Sequence, residues 1–362
     1  MDKLNEAREA INRIDKEMAE LFCQRMEAVR QVAEYKKQRG LPILDTAREE
    51  AVIARNSALV ENEELRSYYV NFLRNNMSIS RAFQNKLNSG MRVAFSGVAG
   101  AFAEVAAGKI FENCTAVPYD SFKTAYEATV NGECDCVLLP LENSYNGDVG
   151  QVMDLAFFGS LYINGVYDIS ITQHLLAKPG TKPEDVKEVM SHPQALGQCA
   201  SFIKKMGYIA AESSNTAVAA KFVVESERTD IAAIGSEKAA EIYGLEVIAN
   251  TINDSNNNTT RFAVFSRVCR NYNPVDKQFI MLFTVRNESG CLGKALSVIG
   301  NNGFNLRALK SRPTKELIWD YYFYAEGEGN INTPAGEKMI KELDEVCSHV
   351  KIVGSFEKEI AL

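Results

Sequence analysis

The first forty residues place the strongest limit on what this chain can fold into. No glycine or proline interrupts residues 5–39, and the apolar residues recur at the three- and four-residue spacing of one helix face. That face consists of Ile11, Ile14, Met18, Leu21, Phe22, Met26, Val29 and Val32. Gly40 and Pro42 end the run. At ~1.5 Å per residue, the predicted helix is about 50 Å long.

Two further helices are predicted nearby, at residues 46–59 and 63–86. Three helices within about 90 residues cannot cover the apolar face of one that long. An intertwined dimer of two copies would cover it, so the first region predicts a homodimer or a higher homo-oligomer.

The composition excludes several classes of protein. The chain has 362 residues, 46% apolar and 24% charged, which is typical of a soluble protein with two or three domains. No apolar run approaches the ~20 residues of a transmembrane helix, and no signal peptide is visible. Eight cysteines without a CxxC pair, two of them (Cys134 and Cys136) in an apolar strand, predict free thiols in a reducing cytoplasm. A net charge of −7 disfavours nucleic-acid binding, and three scattered histidines disfavour a zinc site.

Several polar residues of the helical region have spacings that suit a binding site. Arg25 and Lys36 are 11 positions apart, which puts them about 20° apart on one helix face and roughly 16 Å from each other. Arg8 lies 17 positions before Arg25, about 100° round the helix and ~25 Å away. If all three bind one ligand, Arg8 must come from the partner subunit.

Two more helical sets follow, each with a structural alternative. Asp45, Arg48 and Glu49 have i, i+3 and i+4 spacing, and Ser80 and Gln84 form an i, i+4 pair. A capping box from Thr46 to Glu49 would explain Glu49 without a binding role. Ordinary ion pairs on helix surfaces would explain the arginines.

Taken together, the segments REAINRID, QRMEAVRQVAEYKK, PILDTARE and SRAFQ resemble the all-helical chorismate mutases. The resemblance covers residues 1–90 and implies an all-α domain that rearranges chorismate to prephenate without cofactor or metal. Its implied site comprises Arg8 of the other subunit with Arg25, Lys36, Asp45, Arg48, Glu49, Ser80 and Gln84. The arginines would hold the two carboxylates and compress the reactive conformer. Lys36 and Gln84 would bind the ether oxygen, and Glu49 the ring hydroxyl.

The second region alternates strands and helices from RVAFSG to about residue 267, which predicts an α/β domain with a largely parallel sheet. Its first turn, GVAG, lacks the GxGxxG pattern, so nicotinamide cofactors are not expected. Four polar loops follow strands and should meet where the strands end: FSGVAGAFAE, PLENSYNGDVG, SHPQALGQC and NNNTTRF. The alternative is four independent helix starts, in which Ser191 or His192 only caps a helix.

The motifs ENSYNGDV, SHPQALGQC and NTTRF resemble prephenate dehydratase, and this resemblance covers residues 91–268. It implies two α/β lobes, periplasmic-binding-protein-like, with a cleft in which prephenate loses carbon dioxide and water to give phenylpyruvate. The implied site contains Asn143, Ser144, Ser191, Gln198 and Thr260, with Glu142 and His192 behind them and Arg261 and Phe262 bracing the loop. Thr260 would lie beside the departing hydroxyl. Ala103 stands where the family usually has a hydroxyl residue before Glu104, so that polar contact is not expected.

The third region, residues 278–358, reads strand, helix, strand, strand, helix, strand, which predicts an α+β ferredoxin-like fold. It resembles an ACT domain, and the resemblance implies an L-phenylalanine site. The implied site residues are Gly290, Cys291, Leu292, Asn305, Leu306, Ser311, Arg312 and Pro313. Lys310 stands where the family has glutamate. A dimerisation module that senses nothing is the alternative.

The three resemblances together predict a bifunctional enzyme of phenylalanine biosynthesis that L-phenylalanine inhibits. Two other classes of protein share parts of this pattern. An exported solute-binding protein would have the two lobes but not the helical region. A cytoplasmic amino-acid-sensing regulator with degenerate active sites would keep the folds and lose the polar groups.

Overall fold

The computed structural model describes residues 3–145, 147–255, 257–269, 275–314, 321–357 and 360–362. The chain divides into two compact units. The first consists of Met1–Arg92, Asn113–Thr115 and Asn131–Asp135, and the second contains the remainder. Within the described part, every helix is too short or too polar to cross a membrane.

The helical unit contains the three predicted helices: α1 (Lys3–Gln38), α2 (Thr46–Ser57) and α3 (Glu63–Ser89). Their observed ends lie within three residues of the predicted ones. Asp45 and Asn62 are the N-caps of α2 and α3, and each side chain accepts hydrogen bonds from backbone N–H groups of the first turn. Local capping therefore sets where both helices begin.

The apolar face of α1 remains largely exposed within this unit. Ala33 is the one α1 residue that is buried in the described part of the chain. Most of the predicted apolar face is exposed to solvent, namely Ile11, Ile14, Met18, Leu21, Phe22 and Val32. An apolar surface of this length usually marks an interaction site on a soluble protein.

The second unit begins with a lobe built on a mixed sheet. In chain order its elements are β1 (Arg92–Ser96), α4 (Phe102–Ile110), β2 (Thr115–Tyr119), α5 (Phe122–Val130), β3 (Cys136–Asn143), β4 (Gly147–Asp148), α6 (Gly150–Phe158) and β5 (Tyr162–Ser170). The chain then crosses to a second lobe. Because β3 begins at Cys136, Cys134 lies before the strand in which the sequence placed it, although both thiols are buried.

The second lobe carries its own five-stranded sheet. Its elements are β6 (His174–Ala177), a 3₁₀ turn (Pro183–Asp185), β7 (Glu188–Ser191), α7 (Pro193–Gln198), α8 (Ala200–Met206), β8 (Ile209–Glu212), α9 (Thr216–Glu225), β9 (Ile231–Gly235), α10 (Glu237–Tyr243) and β10 (Glu246–Ala249). The chain then returns to the first lobe as β11 (Thr259–Ser266). The predicted two-lobed α/β architecture is therefore observed.

The prediction of largely parallel sheets is wrong. The first sheet has the order β16-β5-β11-β3-β1-β2, where β16 is Ile360–Ala361, and β11 runs antiparallel to both β3 and β5. The second sheet has the order β10-β6-β9-β7-β8, in which β6 runs antiparallel to both its neighbours. The reason is the connectivity: β6 and β11 directly follow the two crossings between lobes, so neither has a helical crossover that would make it parallel.

The two crossings lie side by side, the first at residues 171–173 and the second at residues 250–255 and 257–258. Ile171 donates its backbone N–H to the Asn258 carbonyl (2.8 Å), and Ile252 donates to the Gln173 carbonyl (2.9 Å). The segment ISITQHLLAK is therefore divided between the end of β5 and the start of β6. Both crossings border the cleft between the lobes.

The C-terminal region has the predicted order of strands and helices: β12 (Gln278–Thr284), α11 (Cys291–Asn301), β13 (Asn305–Pro313), β14 (Tyr321–Glu328), α12 (Pro334–Val346) and β15 (His349–Phe356). Its antiparallel sheet has the order β13-β14-β12-β15. Both helices pack on one face, over Phe279, Met281 and Phe283. Beyond β15, β16 joins the sheet of the first lobe beside β5.

Candidate active sites

The helical unit contains a cavity of about 340 Å³ that side chains of all three helices line. It brings together seven of the eight residues that the resemblance assigns: Arg25, Lys36, Asp45, Arg48, Glu49, Ser80 and Gln84. The eighth, Arg8, does not line this cavity and is exposed on α1. The geometry of one chain therefore agrees with the expectation that Arg8 serves another copy's site.

Hydrogen bonds hold the cations of this cavity in place. The Arg25 guanidinium donates to Ser80 Oγ (2.5 Å), and Ser80 in turn donates to the carbonyl of Asn76 (2.7 Å). Burial lowers the pKa of Arg25, but a guanidinium remains protonated in any ordinary buffer. Lys36 Nζ donates to the carbonyl of Ile43 (2.6 Å), which ties the end of α1 to the loop before α2.

Glu49 does not cap α2, so the capping-box alternative is wrong. The N-cap is Asp45, whose side chain accepts from the Arg48 N–H (3.0 Å). The Glu49 carboxylate instead lies against Arg81, with NH1 at 2.5 Å from both carboxylate oxygens. Sequence reasoning missed Arg81, which follows Ser80 directly and lines the same cavity.

The cavity suits an anion with two negative groups. Its lining includes five cationic side chains (Arg25, Lys36, Arg48, Arg55 and Arg81) and two carboxylates (Asp45 and Glu49), which leaves a net charge of +3. Gln84 is buried, and in the described part of the chain its Oε1 has no hydrogen-bond partner. The cavity therefore combines excess positive charge with an unfilled polar position.

The cleft between the two α/β lobes contains a second cavity, of about 350 Å³. Five predicted residues line it: Asn143, His192, Gln198, Thr260 and Phe262. They arrive from β3, from the start and end of α7, and from β11. The polar loops that follow the strands therefore do converge, as expected for an open α/β sheet.

A chain of amide side chains crosses the floor of this cleft. Asn143 Nδ2 donates to Thr260 Oγ1 (2.9 Å) and to Asn258 Oδ1 (3.1 Å). Asn258 Nδ2 donates to Gln198 Oε1 (2.8 Å), which also lies 3.5 Å from Gln173 Nε2. Gln198 Oε1 therefore accepts from both of its neighbours, whereas Asn143 Nδ2 donates both to Asn258 and to the Thr260 hydroxyl at the end of the chain.

The direction of this chain determines what Thr260 can do. Asn143 Oδ1 accepts from Gln194 Nε2 (2.9 Å) and from the Tyr145 N–H (3.0 Å), so Nδ2 is the end that faces Thr260. Because Thr260 Oγ1 is the acceptor in that contact, its own hydrogen remains available for a ligand. Thr260 lies in the cavity wall and is buried.

Four other predicted residues do not line the cleft. Ser144 exchanges hydrogen bonds with the Asn257 carbonyl (2.9 Å) and the Thr259 N–H (3.0 Å), and Ser191 donates to the Ile234 carbonyl (2.6 Å). Both hydroxyls therefore hold main chain in position. Glu142 and Arg261 form the remaining pair, which lies on the other side of the sheet.

Arg261 faces away from the cleft because residues alternate along β11. Its neighbours Thr260 and Phe262 line the cavity, whereas its guanidinium binds Glu142 (3.2 Å) and Glu326 (3.0 Å). The bracing role inferred for Arg261 agrees with these contacts. Phe262, which was assigned the same role, instead forms part of the cavity wall.

His192 is both a cap and a wall residue. It is the N-cap of α7, and its Nδ1 accepts from the Gln194 N–H (3.2 Å), so the capping alternative is confirmed for this residue. Its side chain also lines the cavity. On the opposite wall, Ala103 adds no polar group, as the sequence indicates, and Glu104 accepts from the Gly100 N–H (2.6 Å).

Sequence reasoning missed seven polar residues of the cleft, and no lining side chain in the described part of the chain is a lysine, arginine, aspartate or glutamate. The missed residues are Ser96, Gln173, Gln194, Ser214, Asn215, Thr216 and Asn258. Asn258 and Gln194 belong to motifs that had been quoted. Gln173 lies in a polar stretch, between Thr172 and His174, that interrupts the apolar residues of ISITQHLLAK, and this interruption was the signal that could have found it.

Comparisons with known proteins find a family match for each of the two regions that contain these cavities. Residues 93–270 match the family model for prephenate dehydratase, and residues 7–85 match that for chorismate mutase type II. A bifunctional chorismate mutase/prephenate dehydratase of Aquifex aeolicus is 32% identical over 99% of both chains. The chain belongs to this bifunctional family.

Two further relatives match about three quarters of this chain. The Arabidopsis thaliana protein named arogenate dehydratase/prephenate dehydratase 2 is 36% identical over 74% of this chain and 73% of its own length. The crystal structure of an Arthrobacter aurescens prephenate dehydratase, in complex with L-Phe, is 26% identical, with a TM-score of 0.68 over 74% of this chain and 90% of its own.

In this member of the bifunctional family, the segment that the ACT resemblance assigns to a regulatory ligand lies at the start of α11. Gly290 has φ +82°, a left-handed conformation that favours glycine, and it precedes the buried Cys291 at the start of α11. Leu292 and Leu306 pack against the domain core. Asn305 donates to Glu328 (2.9 Å) across neighbouring strands.

The second predicted regulatory segment, on β13, contacts the dehydratase domain. Arg312 binds Asp154 of α6 through two nitrogens (2.9 and 3.2 Å), and Tyr322 donates to the same carboxylate (2.7 Å). Lys310 forms ion pairs with Asp148 and Glu142. Ser311 and Pro313 are exposed on the same strand. Lys310, which stands where the ACT resemblance has glutamate, therefore has two acidic partners.

Proposed function

We propose that the helical cavity converts chorismate to prephenate, that the interlobe cleft converts prephenate to phenylpyruvate, and that Thr260 assists the second reaction directly. The observation that carries this proposal is the hydrogen bond from Asn143 Nδ2 to Thr260 Oγ1, in a cleft whose described lining contains no lysine, arginine, aspartate or glutamate. It leaves the threonine hydrogen available to a departing hydroxyl.

The helical cavity supports a rearrangement that needs no nucleophile. Chorismate carries two carboxylates, and the excess positive charge of the lining would bind both. Arg25 and Arg48 hold the substrate in the conformer in which the bonding carbons approach each other. Lys36 and Gln84 hydrogen-bond the ether oxygen as negative charge develops there, and this stabilises the transition state more than the ground state.

The cleft supports a reaction that aromatisation drives. As the ring carboxylate leaves as carbon dioxide, its electron pair enters the ring, and the C–O bond to the hydroxyl breaks on the opposite side. Thr260 donates a hydrogen bond to that oxygen as it becomes hydroxide. Because a threonine hydroxyl is a weak acid, positioning and charge stabilisation carry its role, and water supplies the proton.

A second copy of the chain completes the mutase site. Arg8 lies about 100° round α1 from Arg25 and ~25 Å along it, so it cannot reach the ligand of its own chain. The exposed apolar face of α1 provides a surface for pairing with the same helix of another copy. Dimerisation would cover this face and bring Arg8 of the partner subunit to the cavity.

L-Phenylalanine binds the C-terminal domain and lowers dehydratase activity. The L-Phe complex of the Arthrobacter relative supports this ligand, and the turn at Gly290 supports its position. The ion pairs of Lys310 and Arg312 with the first lobe provide a physical connection to the cleft. Inhibition requires that phenylalanine bind one arrangement of the domains more tightly than the other.

One assay tests the two activities together. Purified protein receives chorismate alone, and prephenate and phenylpyruvate are followed in time. We expect prephenate to appear first and phenylpyruvate to follow after a lag. Accumulation of prephenate without phenylpyruvate would contradict the dehydratase assignment, and unchanged chorismate would contradict both assignments.

A further inference from the structure

Gln173 lies in the cleft at a position that its backbone alone fixes. It belongs to the first crossing between the lobes, is only 2% exposed and lines the cavity. Its N–H donates to Asn253 Oδ1 (2.7 Å), and its carbonyl accepts from the Ile252 N–H (2.9 Å). The side chain is therefore not needed to hold the crossing in place.

The orientation of the Gln173 amide follows from its neighbour. Gln198 Oε1 is an acceptor, because it already receives the Asn258 Nδ2 hydrogen at 2.8 Å. The Gln173 atom nearest to it, at 3.5 Å, must therefore be Nε2, since an oxygen there would set two acceptors against each other. The Gln173 carbonyl oxygen is the other end of the amide, and in the described part of the chain it has no partner.

Among the described amide side chains that are linked across the cleft, Gln173 is the one whose oxygen lacks a hydrogen-bond partner. Asn143 Oδ1 accepts two hydrogens, Asn258 Oδ1 accepts one from Asn143, and Gln198 Oε1 accepts from Asn258 and Gln173. A buried acceptor without a partner is costly unless a ligand or water fills it. Gln173 Oε1 therefore indicates that the ligand carries a donor.

Prephenate offers one such donor, and this step rests on the dehydratase function proposed above. Its two carboxylates and its keto group can only accept hydrogen bonds. Its ring hydroxyl, the group that leaves, is the one donor in the dianion. A carbonyl oxygen in the cleft can therefore recognise prephenate only through that hydroxyl.

We propose that Gln173 is a further substrate-binding residue of the dehydratase reaction, and that its Oε1 accepts a hydrogen bond from the departing hydroxyl of prephenate. Thr260 then donates to the same oxygen atom. Accepting the hydrogen raises the electron density on that oxygen, which makes it a better acceptor for Thr260. The two contacts together fix the direction of the C–O bond that breaks.

The test replaces Gln173 with methionine, which has a similar length and no amide. For Gln173→Met, kcat/KM with prephenate should fall ~10-fold or more, as expected for a lost hydrogen bond to a buried group. The product, phenylpyruvate, lacks the ring hydroxyl, so its inhibition constant should be unchanged. The thermal unfolding temperature and the mutase rate serve as controls for folding.

Two outcomes would overturn the inference. If binding of phenylpyruvate weakens as much as that of prephenate, Gln173 only shapes the cleft. If neither changes, Gln173 has no role in the reaction. Failure of the proposed dehydratase function would be distinguishable from these two outcomes, because the wild-type protein itself would then leave prephenate unchanged.

A second measurement does not depend on how well the variant turns over. The measurement compares two competitive inhibitors of the dehydratase reaction. One is the methyl ether of the prephenate ring hydroxyl, which has no donor, and the other is prephenate with a saturated ring, which keeps the hydroxyl. In the wild-type protein the methyl ether should have the higher inhibition constant. In Gln173→Met this difference should shrink to within about twofold, because the acceptor is gone. An equal difference in both proteins would overturn the inference.

Discussion

The mutase cavity and the dehydratase cleft have nearly the same volume but opposite chemistry. About 340 Å³ in the helical unit is lined by five cations and two carboxylates, whereas about 350 Å³ between the lobes is lined by amides, hydroxyls, one imidazole and apolar groups. Both substrates are dianions. With the functions proposed above, one dianion is bound by full charges and the other by oriented neutral dipoles.

Each of these two ways of binding a dianion has its own structural requirement. Charged side chains stay hydrated and need only partial burial, so the mutase site can be built on the surfaces of helices and completed by a second copy. Neutral donors must be oriented and dry to have a comparable effect, which requires a buried network with few unfilled positions. The amide chain from Gln173 to Thr260 is such a network.

The largest expected effect comes from the end of the amide chain. Thr260→Ala should lower phenylpyruvate formation by ~100- to 1,000-fold, the range found when an oriented donor to a developing anion is removed. Prephenate should still accumulate from chorismate, since the mutase residues are unchanged. Thr260→Ser, which keeps the hydroxyl, is the matched control and should retain more activity. Unchanged turnover in the alanine variant would remove Thr260 from the mechanism.

A second prediction tests whether the charged site is shared between subunits. Arg8→Ala and Lys36→Ala should each be nearly inactive as mutases. Equal mixing, with subunit exchange, should restore about a quarter of the activity, because half the dimers are mixed and each has one intact site. Demonstrated exchange without any recovery would mean that Arg8 belongs to the site of its own chain.

The two sites also differ in how far the sequence predicts them. Periodicity predicted the three helices, because residues at helical spacing share one face, and the resemblance to the chorismate mutases implied the seven residues of the mutase cavity. Arg81 was not predicted, because its partner Glu49 lies on another helix, 32 positions away in the sequence. A local pattern of residue types does not indicate a contact over that separation.

In the dehydratase domain, loops that end strands predicted where the site lies but not which side chains enter it. The alternation along β11 turns Arg261 away from the cleft, and Ser144 and Ser191 are used by nearby main chain. Gln173 was missed because it lies in the crossing between the lobes, outside the four polar loops that follow strands. The sheet directions were wrong for the same reason, since a chain that leaves a lobe and returns has no signature in local periodicity.

A third prediction asks whether the regulatory ligand affects only one of the two sites. L-Phenylalanine should lower dehydratase turnover several-fold, because the β13 ion pairs end on the dehydratase domain, and should leave the mutase rate unchanged. Gly290→Trp should abolish the inhibition, since a large side chain would fill the turn. Gly290→Asn is the control, because asparagine tolerates the left-handed conformation. Calorimetry that detects no binding of L-phenylalanine to the wild-type protein would contradict the proposal.

The smallest expected effect is the response of each site to salt. Raising ionic strength from about 0.01 M to 1 M shortens the Debye length from roughly 30 Å to 3 Å, which screens charges that remain near solvent. The KM of the mutase for chorismate should therefore rise several-fold. The KM of the dehydratase for prephenate should change less, because its donors are buried dipoles that mobile ions cannot approach. The assay uses initial rates with each substrate in sodium chloride and in potassium chloride, which separates screening from specific ion binding. Equal rises in the two KM values would mean that charges outside the cleft govern how prephenate binds, and that the neutrality of the cleft lining has no functional consequence.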